Sequence, residues 1–232
     1  MKRVLLKFSG EALLGSHESG IDFSVLGELS QQILEVQQQG YEIAVVLGAG
    51  NIWRYRDNTD SGIDRVNSDY MGMLATIMNS VALVSSLEAK GSSARVMSAL
   101  HIPAIAEAYV KQLAERHLEK GRVVVCAGGT GNPFFTTDSA AALRALELDC
   151  DVLVKCTNTD GVYDADPKTN PSAKKYEEVS YDEVLEKDLK VMDGAAIALC
   201  RDGRLPIRVC EFGPQGNILK ALRGQAGTLV QS

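Results

Sequence analysis

Residues 123–141 read VVVCAGGTGNPFFTTDSAA, a stretch that predicts the strand, the loop and the helix of one α/β unit. The apolar residues 123–127 predict a buried strand, and the alanine-rich residues that follow Asp138 predict a helix. Three glycines in four residues separate them, whereas a loop that only had to turn would need one or two. Because backbone N–H groups and the positive end of a helix dipole meet at such a junction, the stretch predicts an anion-binding site.

Outward from this unit, strand-like and helix-like segments alternate along the whole chain. Further strands are predicted at residues 4–8, 41–47, 93–97, 151–156 and 206–212, with 227–230 as a candidate last strand. Helices are predicted from Asp22 to just before Gly40, over 68–90, 110–119 and 138–148, from Ser180 onward, and up to Leu222. This alternation predicts a three-layer α/β sandwich, whose mostly parallel central sheet is covered by helices on both faces. No internal repeat or linker divides residues 1–232, which predicts a single domain.

The charge balance limits the kinds of partner. The net charge is −6, from 30 acidic and 24 basic residues, and no long basic run occurs. This argues against a nucleic-acid polymer or a membrane surface as partner, but a small phosphorylated ligand needs only a local cluster of donors. The start MKRVLLKFSGE is charged again at Lys7, too early for the apolar core of a signal peptide. Since no apolar run of transmembrane length is predicted either, we expect a cytoplasmic protein.

The cysteines and histidines do not predict a metal or redox centre. The five cysteines contain no C-x-x-C pair, and several lie in apolar strand-like runs, as is typical of buried thiols in a reducing compartment. The three histidines, His17, His101 and His117, form no cluster in the sequence. Neither a metal site nor a catalytic triad is therefore predicted from them.

Glycine-rich turns follow three of the predicted strands. They lie at Ser9 and Gly10, at residues 48–50 and at residues 128–131. Ligands of a parallel sheet bind beyond the carboxyl ends of its strands, so turns that meet at this edge indicate a phosphate-rich ligand. The chain lacks the Walker A string G-x-x-x-x-G-K-S/T, and Trp53 occupies the third glycine position of a dinucleotide-binding fingerprint. The pattern therefore favours phosphate chemistry outside the P-loop and Rossmann classes.

Several polar residues stand where a phosphate site would need them, and each has a plainer interpretation. Lys7 ends an apolar strand, where it either neutralises a moving phosphoryl group or extends to solvent from the strand edge. Arg54 follows the turn at 48–51 and is either a phosphate fork or a solvated loop residue. Asp69 and Asp138 are at predicted helix starts, where they either contact the ligand or cap the helix, and Thr137 shares the capping alternative.

Six strings occur in the order found in one enzyme family. They are KFSGEAL (7–13), GAGN (48–51) followed by Arg54, DYMGMLATIMN (69–79), GTGNPFFTTDSAA (129–141), TDGVYDADP (159–167) and LKVMD (189–193). The chain resembles, over essentially its whole length, the bacterial-type uridylate (UMP) kinases of the amino-acid kinase superfamily. It departs at Ala49, where the family usually has glycine, and at Asn158, where many members carry lysine.

The resemblance implies the reaction UMP + ATP to UDP + ADP, a step of pyrimidine nucleotide biosynthesis, with Mg²⁺ held through the ATP phosphates. It implies catalytic roles for Lys7, Arg54 and Asp138. The UMP-binding residues that it implies are Gly48, Ala49, Asp69, Thr130, Gly131, Asn132, Pro133, Phe134, Phe135, Thr136 and Thr137. The ATP-binding residues that it implies are Lys7, Phe8, Ser9, Gly10, Gly50, Arg54, Thr157, Tyr163 and Asp166. The acceptor half would be about 1–150 and the ATP half about 151–232.

The same resemblance implies a homohexamer that GTP activates and UTP inhibits, with effector contacts at Arg95 and residues 15–20. The apolar side chains of the long helix at 68–90 fit either a subunit interface or packing within one chain. Two alternatives stay open: another amino-acid kinase that acts on acetylglutamate or aspartate, and a non-catalytic nucleotide sensor of the same fold. The first would share Lys7 but lack the loop GTGNPFFTTD, and the second would lose Lys7 or Asp138.

Overall fold

The computed structural model describes residues 2–55 and 62–232, and within these ranges nine strands form one sheet. The strands are β1 (Arg3–Phe8), β2 (Glu42–Leu47), β3 (Ala94–Ser98), β4 (Glu107–Ala108), β5 (Val123–Ala127), β6 (Val152–Thr157), β7 (Glu178–Ser180), β8 (Ile207–Glu211) and β9 (Thr228–Gln231). The helices are α1 (Phe23–Gln38), α2 (Arg65–Ala89), α3 (Lys111–Glu119), α4 (Thr137–Glu147), α5 (Tyr181–Glu186), α6 (Gly194–Asp202) and α7 (Asn217–Leu222). The predicted alternation of strands and helices is confirmed.

The sheet has the order β4-β3-β5-β2-β1-β6-β8-β9-β7, so β1 lies between β2 and β6. Among the strand pairs of the described chain, only β8 and β9 run antiparallel. The mostly parallel sheet predicted from the sequence is therefore confirmed. The register places Lys7 of β1 opposite both Val46 of β2 and Lys155 of β6. Two lysines thus lie side by side near the carboxyl end of the central strands.

Helices cover both faces of the sheet, because side chains of its strands alternate between two cores. Leu5 packs in one core with residues of α4 and α6, including Ala141 and Ile197. Its neighbours Val4 and Leu6 pack in the other core, with residues of α1, α2 and α7. A strand buried on both faces needs apolar residues at every position, which explains the unbroken apolar run at the start of the chain.

Some short elements escaped the sequence analysis. Strand β4 has two residues and β7 has three, which is too short for a period of two to be visible. A 3₁₀ helix, Gly10–Leu13, follows β1 where only a turn was predicted. Ser9 caps it, because its side chain accepts a hydrogen bond from the Glu11 N–H at 3.3 Å. This cap turns the chain sharply at the end of β1.

The capping alternatives for Asp69, Asp138 and Thr137 are wrong. Helix α2 begins at Arg65, and its N-cap is Asp64, whose carboxylate accepts from the Asn67 N–H at 3.0 Å. Asp69 therefore lies one turn inside the helix. In α4 the N-cap is Thr136, whose side-chain oxygen accepts from the N–H groups of residues 138 and 139. The side chains of Asp69, Asp138 and Thr137 are thus not needed as caps.

Helix α2 is long and apolar enough to cross a membrane, although no apolar run of transmembrane length was predicted from the sequence. Core helices of soluble proteins can have the same length and apolar content. Here α2 packs against α1, β3 and β5, and it buries residues such as Leu83 and Leu87. These contacts account for one side of its apolar surface.

Candidate active site

The first two glycine turns are in direct backbone contact at the carboxyl ends of β1 and β2. A Cβ atom added at Gly10 would lie 2.5 Å from the Gly50 nitrogen, and one added at Gly48 would lie 2.7 Å from the Gly10 nitrogen. Both positions therefore exclude any side chain. The predicted convergence of these turns is confirmed.

The third turn, at residues 128–131, belongs to the same edge and is joined to α2. The Gly128 N–H donates to the Thr76 side-chain oxygen at 2.9 Å. Gly128, Gly129 and Gly131 have φ of 76°, 59° and 81°, which is the left-handed region that favours glycine. The glycines thus let the chain leave β5 and turn over the middle of α2.

A cavity of about 370 Å³, called here the α2 cavity, lies between the start of α2 and the loop 128–137. The predicted residues that line it are Ala49, Gly50, Arg54, Asp69, Thr130, Asn132, Phe135, Thr136 and Thr137. Its lining also includes residues that the sequence analysis missed, namely Trp53, Tyr55, Arg65, Ser68, Gly72, Met73, Thr76 and Gly129. The predicted residues Gly48, Gly131, Pro133 and Phe134 do not line it.

Asp69 joins α2 to the loop 128–137. Its carboxylate accepts from Arg65 Nε at 2.9 Å and from the backbone N–H of Phe134 at 2.8 Å. Phe134 has φ of 70°, an uncommon value for a residue with a side chain. The Asp69 contact therefore holds the loop in a conformation that its own backbone does not favour. The same carboxylate faces the α2 cavity, where it can accept from hydroxyl groups.

Lys7, which is buried, and the half-buried Asp138 and Lys155 form a cluster at the carboxyl ends of β1 and β6. Lys7 forms an ion pair with Asp138 Oδ1, and Lys155 Nζ lies 2.7 Å from Asp138 Oδ2. Lys155 Nζ also donates to the Val191 carbonyl at 2.5 Å. The predicted contact between Lys7 and Asp138 is thus present, and Lys7 is only 6% exposed. Its alternative role as a solvent-reaching edge lysine is wrong.

Electrostatics within this cluster keep the carboxyl group ionised. Burial alone would raise the pKa of Asp138, but the ammonium groups of Lys7 and Lys155 outweigh it and lower that pKa below its ordinary value. Burial lowers the pKa of Lys155, and Asp138 opposes that shift. The cluster therefore presents two lysines around one anion.

The sequence analysis missed two members of this site. Lys155 is the only charged residue of the strand VLVKCT, which is the same signal that identified Lys7. Asp193 is the N-cap of α6, and its carboxylate accepts from the Ala196 N–H at 3.0 Å. It also accepts from the hydroxyl of Ser139 at 3.0 Å and from that of Thr136. Asp193 thus fixes the start of α4, which carries Asp138, against the start of α6.

Arg54 spans the first two glycine turns. Its Nε donates to the Gly50 carbonyl at 2.8 Å, and its guanidinium forms an ion pair with Glu11. A Cβ atom at Gly50 would lie 2.7 Å from Arg54 Nε, so the glycine lets the side chain lie against the backbone. This contact holds a cation between the turn after β1 and the α2 cavity. The alternative of a solvated loop arginine is wrong.

A second cavity, called here the β6 cavity, has a volume of about 410 Å³ and lies beyond β6. Of the residues that the resemblance assigns to ATP, those that line it are Tyr163 and Asp166, and those that do not are Lys7, Phe8, Ser9, Gly10, Gly50, Arg54 and Thr157. The Tyr163 hydroxyl donates to Asp160 at 2.6 Å. Lys187 and Lys190, which were not predicted from the sequence, also line the β6 cavity. In the order of the sheet, β1 lies between β6 and the strands β2 and β5, whose turns border the α2 cavity.

Comparison with known proteins identifies relatives over the whole chain. The model of the amino acid kinase family matches residues 2–211. The chain is 51% identical to a uridylate kinase of Xanthomonas oryzae, over 99% of this chain and 96% of that protein. It is 52% identical to a uridylate kinase of Methylococcus capsulatus, over 96% of this chain and 93% of that protein. The UMP kinase structure from Bacillus anthracis is similar with a TM-score of 0.96 at 38% identity, covering 99% of this chain and 96% of that one.

Proposed function

Because this chain belongs to the amino acid kinase family, we propose that it transfers the γ-phosphoryl group of ATP to UMP, which yields UDP and ADP. The observation that carries this proposal is the cluster of Lys7, Asp138 and Lys155. Its two lysines lie on β1 and β6, between the turns that border the α2 cavity and the β6 cavity. Phosphoryl transfer asks a protein mainly for positioning and for cations around the moving group. The two lysines and Arg54 supply those cations, and no covalent nucleophile is needed.

UMP occupies the α2 cavity in this proposal. Asp69 accepts from the ribose hydroxyls, and polar groups of the loop 128–137, from Thr130, Asn132 and Thr137, contact the uracil edge. The UMP phosphate lies at the backbone N–H groups of Ala49 and Gly50, beside the Arg54 guanidinium, because the Gly48 N–H already donates to the Phe8 carbonyl at 2.9 Å. The position of Asp69 and Arg54 in one cavity wall supports this arrangement. Gly131, Pro133 and Phe134 contribute through the conformation of the loop rather than through the cavity wall.

ATP occupies the β6 cavity, with its phosphates directed toward Ser9 and Gly10. Tyr163 and Asp166 line the part that receives adenine and ribose, as their place in the cavity wall supports. Thr157 and Phe8 act from the strand ends behind that wall. This assigns the acceptor half to about residues 1–150 and the donor half to about 151–232. Lys7 and Lys155 then lie on either side of the boundary, on neighbouring strands.

Transfer takes place over the lysine cluster. The ammonium groups of Lys7 and Lys155 neutralise charge on the equatorial oxygens of the moving phosphoryl group. Asp138 fixes both lysines and, because its pKa is lowered, does so as an anion. Arg54 holds the attacking UMP phosphate in line.

The residues present fit a Mg²⁺ ion that arrives with ATP. Glu11, in the turn after β1, and Asp138, beside Lys7, are both ion-paired with cationic side chains. Among residues 2–55 and 62–232, no group of three His, Cys, Asp or Glu side chains could hold a metal ion. The chain supplies cations to the phosphates, and a Mg²⁺ ion that arrives with ATP would add further charge neutralisation.

Self-association, as a homohexamer, is part of the proposal. Apolar side chains of α2 at spacings of three or four residues are exposed on the face that does not pack on the sheet. They are Val66, Tyr70, Leu74, Met78 and Val81, called here the α2 stripe. A contiguous exposed apolar face of this kind is typical of an interface with another protein. The alternative, that all apolar residues of this helix pack within one chain, does not explain the stripe.

Regulation by GTP and UTP is proposed for the edge of the sheet beside this stripe. Arg95 lines a further cavity of about 510 Å³, together with His101, Glu107 and Val81 of the α2 stripe. The cavity therefore adjoins the proposed interface, and a bound effector would contact both Arg95 and the α2 stripe. The second predicted effector segment, residues 15–20, does not line it. A cytoplasmic location without a membrane or nucleic-acid partner completes the proposal.

The acceptor is tested by a coupled assay of ADP release. UMP, CMP, acetylglutamate and aspartate are supplied in turn with MgATP at equal concentrations. We expect rapid release with UMP alone. Release with acetylglutamate or aspartate would favour the other members of the family. No release with any acceptor, from a protein that still binds ATP and UMP, would favour a nucleotide sensor.

A further inference from the structure

Two buried asparagines, Asn51 and Asn79, bind each other through both of their side-chain amides. Asn79 Nδ2 donates to Asn51 Oδ1 at 2.8 Å, and Asn51 Nδ2 donates to Asn79 Oδ1 at 3.0 Å. Asn51 is 2% exposed and Asn79 is fully buried. The pair links the turn after β2 to the middle of α2.

The remaining amide hydrogens are satisfied by backbone carbonyls. Asn79 Nδ2 donates to the Gly48 carbonyl at 2.8 Å, and Asn51 Nδ2 donates to the Gly20 carbonyl at 2.9 Å. The Gly20 N–H in turn donates to the Asn51 carbonyl at 2.8 Å. A buried polar network in which every amide donor has a partner specifies one geometry, because any other geometry leaves a buried polar group unsatisfied.

The asparagine pair lies directly behind both phosphate turns. Asn51 Oδ1 would be 2.7 Å from a Cβ atom at Gly10, so the amide packs against the turn after β1. The hydrogen bond from Asn79 to Gly48 fixes the first peptide of the turn after β2. One amide pair thus contacts the turn assigned to ATP phosphates and the turn assigned to the UMP phosphate.

We propose that Asn51 and Asn79 are positioning residues that set the separation and orientation of the donor and acceptor phosphate turns. This inference rests on the proposed function, which places one phosphate chain at each turn. The reaction needs its two phosphates in line, and a misplacement of about 1 Å can cost roughly 10²-fold in rate. Each turn keeps its own N–H groups and glycines without the pair, so each can still bind its own nucleotide. The asparagine pair fixes the distance and orientation of the two turns relative to each other.

The experiment compares ligands that use one turn with a ligand that uses both. Dissociation constants are measured for UMP, for a non-hydrolysable ATP analogue, and for an adenosine–uridine conjugate whose linking phosphates span the two turns. The proteins are the unmodified chain, Asn79→Ala and Asn51→Ala. We expect each nucleotide to lose less than about 3-fold in affinity, whereas the conjugate loses about 30-fold or more, because its advantage depends on simultaneous engagement. The kcat should fall by about 10–100-fold.

Ser80→Ala is the matched control. Ser80 is also a fully buried polar residue of α2, but its hydroxyl donates to the Thr76 carbonyl within the same helix, at 2.7 Å. This variant should keep both kcat and the affinity for the conjugate. Asn79→Asp is a second variant in case the alanine variant does not fold, since it keeps the size of the side chain but cannot donate to Gly48.

Two results would overturn the positioning role. One is equal weakening of the conjugate and the single nucleotides. The other is a lower melting temperature at unchanged kcat, which would show that the pair serves stability alone. If the unmodified chain binds both nucleotides but not the conjugate, the assumed path of the phosphates is wrong and the inference fails with it. If the unmodified chain binds neither nucleotide, the proposed function itself fails.

Discussion

Lys7 and Lys155 are paired in register on neighbouring parallel strands, and their ammonium groups contact opposite oxygens of the half-buried Asp138 carboxylate. The two side chains are neighbours because β1 and β6 pair in this parallel register. Asp138, at the start of α4, then keeps them from repelling each other. In the proposed reaction the two lysines act as a unit on one phosphoryl group.

The two lysines should be of similar importance. We predict that Lys7→Ala and Lys155→Ala each lower kcat by about 10²–10³-fold, the scale for losing one electrostatic stabiliser. The double variant should lose far less than the product of the two, because the residues act together. Single-turnover kinetics would measure this. Lys111→Ala, which removes an exposed lysine of α3 paired with Asp149, is the control. Full activity of either active-site variant would remove that lysine from the mechanism.

Asp138→Asn should destabilise the fold in a pH-dependent way. The variant leaves the ammonium groups of buried Lys7 and half-buried Lys155 without their anion, which costs about 3 kcal/mol at neutral pH. The native pKa of Asp138 is lowered from 3.8, so its stabilising effect is complete above that ordinary value and is lost as the pH falls through the native pKa. Denaturant unfolding of both proteins between pH 7 and pH 3 should therefore show the difference shrinking below about pH 4. A difference in the free energy of unfolding that grows as the pH falls would contradict this prediction.

Asp69→Asn should weaken UMP selectively. It can still accept from the Phe134 N–H, but it loses the charge that accepts from ribose hydroxyls. We expect the KM for UMP to rise by about 10-fold, since a charged hydrogen bond contributes about 1.5–3 kcal/mol, while the KM for ATP stays unchanged.

Asp64→Ala provides the contrast on the same helix. It removes the N-cap of α2 and should lower the melting temperature at an unchanged KM for UMP. Steady-state kinetics and thermal melts of both variants would measure this. An Asp69 variant that melts early and keeps its UMP affinity would contradict the ligand role.

We expect the protein to recognise the uracil base through hydrogen bonds. We predict that UMP is preferred over CMP by at least ~10²-fold in kcat/KM, because cytosine inverts the donor and acceptor pattern of the uracil edge. Thr137→Ala should reduce this ratio or weaken UMP binding without loss of stability, since Thr136 is the cap of α4.

Thr136→Ala is the variant for comparison, because it removes the N-cap of α4. It should lower the free energy of unfolding by about 1 kcal/mol, whereas Thr137→Ala should not. Kinetics with both acceptors and melts of both variants would decide. Unchanged UMP affinity and selectivity in Thr137→Ala would remove that residue from base recognition.

The α2 stripe should mediate self-association. We predict that Leu74→Glu with Met78→Glu converts the assembly to smaller species in sedimentation velocity, because the charges would be buried without partners. Leu185→Glu, which changes an exposed apolar residue of α5, is the control and should leave the assembly intact. An unmodified chain that sediments as a monomer would contradict the proposed homohexamer.

Much of the fold followed from local patterns, because strands buried on both faces are continuous apolar runs and the glycines mark their ends. The start of α2 did not follow, since Asp64 and Asp69 are both acceptable caps and only the structure shows which N–H groups they face. Lys155 carried the same signal as Lys7, but the importance of the pair depends on the register between β1 and β6. The pairing of Asn51 with Asn79 joins positions 28 residues apart, and it depends on how α2 lies behind the turns. Sequence patterns thus did not predict the contacts that depend on tertiary packing.

Product analysis tests the central claim most directly. MgATP and UMP are incubated with the unmodified chain and with Lys155→Ala, and phosphorus NMR follows the transferred group. We predict that UDP appears in equal amount with ADP for the unmodified chain, and about 10²–10³ times more slowly for the variant. ADP that accumulates without UDP, or equal rates for the two proteins, would contradict phosphoryl transfer to UMP over the paired lysines.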